Sequence, residues 1–291
     1  MKIITNIRYK LWLFKKTFST TKFIQDVLMV FGSLWLILEV LSFFQVDDVV
    51  AKLKSLWWLF VTVGTIITLY VSLPKLKYSY KIKNTDVSVN LIIADILNVE
   101  GSIFVPMNNV LDFDNSGLIM GSNSIIQQLI NQNFGGDHSK CEAIVNNYLG
   151  SHPTISKNAS NQYDFDTTIP ISCNGKLYYI VCTSSLNSQG RSKTTPADLE
   201  ISLQNFWVNM RNNGLKDDLV LPIVGTGRGR IGYPRRNVIK ESVSSFINSN
   251  TDYGFCNSFT ICIYPTDVKK YLFYFDELTN YIKNAAEQKF D

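Results

Sequence analysis

A glycine-rich segment carries the residues best suited to chemistry in this chain. It reads LPIVGTGRGRIG over residues 221–232, directly after an apolar run and before a predicted helix. Glycines at such a junction let the backbone turn sharply and bring its N–H groups close to a phosphate, which a helix N-terminus also attracts. Arginines 228, 230, 235 and 236 add positive charge nearby. The segment therefore predicts a strand–loop–helix site for a phosphate-bearing anion.

Other interpretations of this segment stay open. Gly227–Gly232 also fits the GxGxxG string of a dinucleotide-binding Rossmann unit, with Asp252 20 residues beyond it. Against that unit, the loop comes late in the chain, and Asp252 lies before the last predicted strand rather than at its end. A purely structural turn is a third reading, and we expect Arg235 and Arg236 to form a solvated helix face. A Walker A loop is excluded because no Lys-Ser/Thr pair follows the glycines.

Cysteine and histidine usage argues against metal and hydrolytic chemistry. The chain has five cysteines, an odd number with no CxxC pair, and two histidines, His138 and His152. We predict a reduced intracellular environment, no metal site, no catalytic residues and no cofactor. Neither the histidines nor any GxSxG string provides a hydrolytic triad.

Alternating apolar strands and helices must position the glycine-rich segment. They predict an α/β fold: a three-layer α/β/α domain over residues 84–291, whose sheet is mixed because Asn174-Gly175 signals a β-hairpin. The predicted strands are 87–93, 102–106, 168–173, 176–183, 219–224 and 258–264. The predicted helices are 122–134, 139–149, 196–213 and 235–248, followed by a helical tail from Asp267, with serines 122 and 139 as caps of the first two.

Two long apolar runs precede this domain. Val27–Val46 contains one ionisable residue, Glu39, and Ser55–Pro74 contains none. Each is about 20 residues, roughly the 30 Å of a bilayer core, so residues 27–74 are predicted to form a two-helix transmembrane hairpin. The alternative is a pair of buried helices in a soluble core. Glu39 either marks an oligomer interface or pore lining, or stays hydrated near the outer surface.

Flanking charges predict the orientation. Basic residues dominate before the first run and after the second, whereas the connection 47–54 is balanced. The positive-inside rule then puts both termini in the cytoplasm of a multi-pass protein. Residues 1–26 are predicted to be a basic amphipathic segment on the inner leaflet, or an ordinary positive flank, and residues 75–83 a basic juxtamembrane linker.

Charge also separates the two parts of the chain. The whole chain carries a net charge of +4, but residues 84–291 hold 16 basic and 20 acidic residues, a net charge of about −4. General nucleic-acid binding is therefore not expected of the domain, because it needs a basic face.

Three segments together resemble a macro domain, the ADP-ribose-binding α/β/α fold. They are Asp95-Ile96 after one strand, Val105–Asn109 at the end of the next, and Pro222–Arg230. With the apolar hairpin, essentially the whole chain resembles the membrane-anchored macro-domain effectors of bacterial type II Thoeris anti-phage defence.

The resemblance implies ligand contacts. Asp95, with the backbone of Ile96, would contact the adenine amino group, and Asn108 and Asn109 would approach the distal ribose. The loop would wrap the diphosphate and distal ribose through Val224, Gly225, Thr226, Gly227, Arg228, Gly229 and Arg230. Alternatively, Asp95 only forms a turn or cap at the end of its strand, and Asn108 and Asn109 only form a turn.

The resemblance also implies a function. A TIR-domain enzyme would make an ADP-ribose-derived messenger, which in the family is linked to histidine. The macro domain would bind this messenger, and the subunits would form a homo-oligomer. The hairpins would then disrupt the lipid of the bacterial inner membrane in abortive infection. Alternatives are a membrane-tethered ADP-ribosyl hydrolase and a structural anchor for a partner. Leu111–Asp114 and Ser124–Gln127 depart from the family pattern, so the group on the distal ribose stays open.

Overall fold

The chain divides into two compact units, residues 1–76 and 77–291. A computed structural model describes residues 20–44, 55–73, 75–113, 124–187, 190–227, 229–250, 254–270 and 275–288. The predictions for residues 1–19, for the connection 47–54, for the cap Ser122 and for Arg228 lie outside these ranges.

The first unit is a pair of packed helices. Helix α1 spans Thr20–Phe43 and helix α2 spans Trp57–Ser72. They contact each other through Phe31 and Phe60, whose rings lie 6.1 Å apart edge to face. Close approach is possible because a Cβ at Gly64 would lie 2.7 Å from the Phe31 ring. At one end of the pair, the Ser72 hydroxyl donates to the Asp26 carboxylate at 2.8 Å.

One of these helices meets the length and composition needed to cross a membrane. It is the Phe23–Phe43 stretch of α1, 21 residues long with a mean hydropathy of 1.9. Helix α2 is apolar but has 16 residues, or about 24 Å of helix. The described residues thus contain one candidate span, and the two-span hairpin stays a prediction.

The second unit is built on an eight-stranded sheet in the order β1-β2-β8-β7-β3-β5-β4, with β6 paired to β5. Strands β2, β8, β7, β3 and β5 run parallel, and β1 and β4 are antiparallel edge strands. The mixed sheet is therefore confirmed. Its strands are β1 (Lys77–Lys81), β2 (Ser88–Ile93), β3 (Ser102–Asn108), β4 (Thr168–Cys173), β5 (Lys176–Leu186), β6 (Ser192–Lys193), β7 (Asp218–Pro222) and β8 (Ser258–Ile263).

Helices cover both faces of this sheet. They are α3 (Ile125–Phe134), α4 (His138–Ser151), α5 (Pro196–Asn213), α6 (Arg235–Ser249), α7 (Pro265–Lys270) and α8 (Phe275–Gln288), with a 3-10 turn at Ile96–Asn98. Helices α3 and α4 pack on one face in an aliphatic core that includes Ile103 and Val105. Phe104, between them in sequence, points to the other face and meets Phe206 of α5 at 4.9 Å. The α/β/α layering follows from this alternation.

Local signals explain several boundaries. Asn174 and Gly175 both have positive φ, 52° and 73°, as a two-residue type I′ hairpin requires. Thr195 forms a capping box with Asp198 at the start of α5. The prediction that Ser139 caps α4 is wrong. The cap is Asp137, whose carboxylate accepts from the Ser139 N–H, and the helix begins at His138, one residue earlier than predicted.

The predicted linker 75–83 is shorter than expected, since Lys77–Lys81 forms the edge strand β1. Tyr78 and Tyr80 are half-buried, while Ser79 between them and the flanking Lys77 and Lys81 face solvent, which is the alternation of a strand with one covered face. Ile82 is fully buried. The Lys83 N–H then donates to the Ala286 carbonyl of α8 at 2.9 Å.

Candidate functional site

A cavity of about 820 Å³ lies at the carboxyl ends of the five parallel strands. Open α/β sheets bind ligands at this edge, because the loops that leave the strands converge there. Its walls come from every one of these strands or from the loop that follows it. Of the residues predicted for ligand binding, those that line the cavity are Asp95, Ile96, Asn108, Gly225, Thr226, Gly227 and Gly229.

Asp95 stands where β2 ends, and it acts as the cap of the 3-10 turn. Its Oδ1 accepts from the Leu97 N–H at 3.2 Å, and its Oδ2 accepts from the Asn98 amide at 3.1 Å. The alternative role as a strand-end cap is thus observed, and the residue lines the cavity as well. Each carboxylate oxygen has two lone pairs. One on each oxygen remains for a donor from a ligand.

The glycine-rich loop is shaped by short backbone contacts. Gly225 has a φ of 71°, a conformation that favours glycine, and its carbonyl accepts from the Ile231 N–H at 3.0 Å. A Cβ at Gly229 would lie 2.9 Å from the Gly225 Cα, so a side chain there would collide with backbone. Thr226 donates its hydroxyl to the Ile223 carbonyl at 2.8 Å. The loop is therefore closed on itself beside the cavity.

Arg235 corrects the expectation of a solvated helix face. Its side chain is only 16% exposed, and it lines the cavity. The guanidinium donates to the Thr226 hydroxyl at 2.6 Å and to the Thr226 carbonyl at 3.0 Å, and it pairs with Asp267 at 3.2 Å. Arg236 is 54% exposed, as expected of a solvated residue. Two adjacent arginines thus differ in role because only the first one faces the loop.

The two predicted asparagines separate. Asn108 lines the cavity, and its Oδ1 accepts from the N–H groups of Val110 and Asp112, so it also stabilises a turn. Asn109 does not line the cavity; its amide donates to Gln162 at 3.1 Å. Val224 and Arg230 likewise do not line it.

Several cavity residues carry no obvious sequence signal. Ser124 caps α3, and Gln128 and Asn131 follow on the same helix. A further part of the wall carries hydroxyl groups from β5, from β6 and from the residue before the α5 cap: Thr183, Ser184, Ser192 and Thr194. The pair Thr194-Thr195 before Pro196 was a usable capping signal, but isolated serines and threonines do not reveal which face they line.

One cysteine thiol at the cavity is protonated. Cys262 lines the cavity, and burial raises the pKa of its thiol to about 12. It is thus a neutral thiol at neutral pH rather than a thiolate nucleophile. Within the described residues, no group of three or more His, Cys, Asp or Glu side chains is arranged to hold a metal ion.

Comparison with solved structures gives macro domains among the matches. An Oceanobacillus iheyensis macrodomain with ADP is 14% identical, with a TM-score of 0.42, over 69% of this chain and 97% of that one. The same macrodomain with MES bound is 15% identical, with a TM-score of 0.45, over 72% of this chain and 98% of that one. No curated protein matches the chain.

A family comparison is decisive. The model described as "Thoeris protein ThsA, Macro domain" matches residues 89–264, which is more than half of the chain and extends from β2 through the end of β8. The matched segment contains the glycine-rich loop and all five parallel strands that border the cavity. The chain therefore belongs to the Thoeris ThsA family through its macro domain.

Proposed function

We propose that this protein is a membrane-embedded receptor whose macro domain binds an ADP-ribose-derived messenger. The observation that carries the proposal is the cavity itself, which joins Asp95 at one strand end to the glycine-rich loop at another. Its volume of about 820 Å³ falls in the usual range for small-molecule sites. Membership of the ThsA macro-domain family supports the same ligand class.

Each part of such a ligand has matching chemistry in the cavity. The Asp95 carboxylate suits the exocyclic amine of adenine, since an ionised carboxylate only accepts hydrogen bonds. Backbone N–H groups of the loop suit the diphosphate. The Asn108 amide suits the hydroxyls of the ribose beyond the diphosphate. Ser124, Gln128 and Asn131 also line the cavity, and we propose that they contact a group attached to that ribose.

The first unit suits a lipid environment. Helices α1 and α2 leave large apolar side chains exposed, among them Trp35 at 61%, Phe43 at 82% and Trp57 at 66%. Apolar surface of this extent on a pair of helices needs a cover. Hydroxyls are satisfied within the helix, as where Thr62 donates to the Trp58 carbonyl at 2.7 Å. We propose that both helices cross the bacterial inner membrane, with both termini in the cytoplasm as the flanking charges predict.

The output of the receptor is membrane disruption. In this proposal a TIR-domain enzyme supplies the messenger during phage infection, the liganded subunits form a homo-oligomer, and the hairpins breach the membrane in abortive infection. Ligand binding can drive this change only by favouring the assembled state. Neither catalysis nor a cofactor is required of this chain.

A contact route exists between the cavity and the strand that follows the helices in sequence. Arg235 holds the loop and begins α6. Farther along α6, Lys240 pairs with Glu277 of α8 at 2.6 Å. Helix α8 packs on β1, where the rings of Phe275 and Tyr78 stack at 6.3 Å. The proposed signal follows this route.

Titration of the full-length protein in detergent tests the ligand. We expect Asp95→Asn to weaken ADP-ribose binding about 10-fold, or about 1.4 kcal/mol, while keeping the capping oxygen. Wild type should also prefer ADP-ribose to its hypoxanthine analogue, and the variant should lose that preference. Asp86→Asn is the control, because Asp86 is exposed and bonds Lys81.

Two results would count against the receptor proposal. Absence of ADP-ribose binding by wild type would remove the ligand. Turnover of ADP-ribosylated substrates by the purified protein would instead favour the hydrolase.

Vesicles of inner-membrane lipid that contain the wild-type protein should leak when messenger is added, and those with Asp95→Asn should need about 10-fold more messenger.

A further inference from the structure

Thr194 is a buried residue of the cavity wall with an unusual hydroxyl group. It lies between β6 and the capping residue of α5, and it is 1% exposed. Its backbone N–H donates to the Gly229 carbonyl at 2.6 Å. Its Oγ1 has no hydrogen-bond partner within the described part of the chain. Buried hydroxyls normally have one, because an unmade hydrogen bond in the interior is costly.

Neighbouring hydroxyls on the same wall are all satisfied. Ser192 donates to the Ser184 oxygen at 2.7 Å, and both Thr183 and Ser184 contact the Met107 carbonyl at 3.4 Å. The missing partner is therefore a property of Thr194 and not of this wall.

The position of the hydroxyl relates it to the glycine-rich loop. A Cβ at Gly229 would lie 2.6 Å from Thr194 Oγ1, and a Cβ at Gly225 would lie 3.3 Å from Thr194 Cβ. The side chain thus sits against the two places where the loop has no side chains. Thr194, Gly225 and Gly229 line the same cavity. The Thr194 side chain and the loop therefore border the same space, which is where the proposed ligand would lie.

We propose that the Thr194 hydroxyl donates a hydrogen bond to a diphosphate oxygen of the bound nucleotide. This inference rests on the proposed function, which places the diphosphate at the loop. A phosphate oxygen is an anionic acceptor with no hydrogen to donate. It therefore suits a hydroxyl group whose hydrogen has no acceptor. The bond is charge-assisted, which makes it stronger than one between neutral groups. Thr194 is then a ligand-binding residue whose pairing is completed only in the bound state.

Valine replaces threonine at nearly constant shape and removes only the hydroxyl. In full-length protein in detergent, we expect Thr194→Val to keep or raise the melting temperature, since no partner within the described residues is lost. Affinity for ADP and for ADP-ribose should fall about 10- to 100-fold, as for one hydrogen bond to a charged group. Adenosine affinity should not change, because adenosine has no diphosphate. Thr194→Ser should restore binding to within about threefold of wild type, a factor worth roughly 0.65 kcal/mol.

Thr260→Val is the matched control. Thr260 is also buried, but its hydroxyl accepts from the Asn90 amide at 3.2 Å. Thr260 lies on β8 and Asn90 on the neighbouring β2, and neither residue lines the cavity. It should lower the melting temperature and leave nucleotide affinity unchanged. Loss of nucleotide affinity without loss of stability in Thr194→Val, together with loss of stability without loss of affinity in Thr260→Val, would support the inference.

Three outcomes would overturn it. They are wild-type affinity for ADP-ribose in Thr194→Val, an equal loss for adenosine and ADP-ribose, and a loss confined to ADP-ribose with ADP unaffected, which would assign the hydroxyl to the distal ribose. In each of these, wild type still binds ADP-ribose and the proposed function stands. Failure of wild type to bind any of the three compounds would instead overturn the proposed function and this inference with it.

Discussion

Single residues in the glycine-rich loop serve different purposes although they share one type. Gly229 is confined by the Gly225 backbone and by Thr194, whereas a Cβ at Gly227 would meet nothing within 4 Å. Gly225 needs its positive φ of 71°. Glycine is thus required at residues 225 and 229 for conformation and space, and residue 227 is open to a small side chain.

This difference predicts the effect of alanine at two neighbouring glycines. Gly229→Ala should lower the melting temperature of the full-length protein by about 2–10 °C, because overpacking costs about 1–3 kcal/mol and must move backbone. It should also weaken ADP-ribose binding. Gly227→Ala should stay within about 2 °C of wild type, as an open surface site does. Differential scanning fluorimetry measures both, and equal melting temperatures would contradict the assigned roles.

At the scale of elements, β1 closes the sheet. It pairs with β2 over Lys77–Lys81, and without it the β2 edge would present unpaired N–H and C=O groups. Helix α8 packs against the same strand, and Ile82 directly after it is fully buried. The second unit therefore starts at residue 77, whereas the sequence predicted residue 84.

Truncated chains test this boundary. We expect residues 77–291 to be folded and monomeric without α1 and α2, because they form one compact unit. Residues 84–291 should melt about 10 °C lower or aggregate, since they lose the edge strand and the Ile82 contact. A chain that begins at residue 75 is the control, because it adds only two residues before β1. Similar melting temperatures and solubility for all three would show that β1 is dispensable.

At the scale of the whole molecule, the averages of the sequence describe neither unit. A mean hydropathy of +0.04 combines an apolar helix pair with an ordinary α/β domain. The net charge of +4 combines a basic N-terminal part, residues 1–83, with the acidic residues 84–291. Burial of thiols, by contrast, is a property spread through the α/β unit. Burial raises the pKa of Cys141, Cys256 and Cys262 to about 12 and also raises that of Cys182.

These thiols predict an alkaline limit to stability. A thiol whose pKa is higher in the folded chain than its unfolded value of about 8.5 stabilises the fold fully below that value. The contribution is lost as the pH rises from about 9 toward 12. Buried tyrosines such as Tyr179, whose pKa is also raised by burial, act in the same direction. The melting temperature should therefore fall steadily above pH 9.

The control for this prediction is Cys256→Ala, which removes one of the four buried thiols. Its melting temperature should be lower at pH 7, because the buried side chain becomes smaller, but should decline less steeply above pH 9. Thiol reagents at pH 8.5 should leave all four cysteines unmodified until denaturant is added. A melting temperature that does not change between pH 7 and pH 10.5 would contradict the assignment.

Much of the fold was predictable because its signals are local. The strand and helix alternation, the Asn174-Gly175 turn and the capping threonine of α5 each depend on residues within a few positions of one another. The apolar helix of the first unit is a matter of composition. The glycine-rich loop was predictable from its place between a strand and a helix, whereas Asp95 and Asn108 were expected only from the resemblance to a macro domain.

The sequence by itself therefore determined the two kinds of unit and the layered sheet, and the resemblance of three short segments to a macro domain suggested the ligand class that we propose. Only the tertiary structure decided that Lys77–Lys81 is an edge strand, that Arg235 binds the loop and Asp267, that Asn109 lies off the cavity and that Thr194 is buried against two glycines. The physical reason is distance along the chain. Lys83 meets Ala286, Arg235 meets Asp267, and Thr194 meets Gly229. No local periodicity encodes such pairs, because they exist only when the whole sheet has assembled.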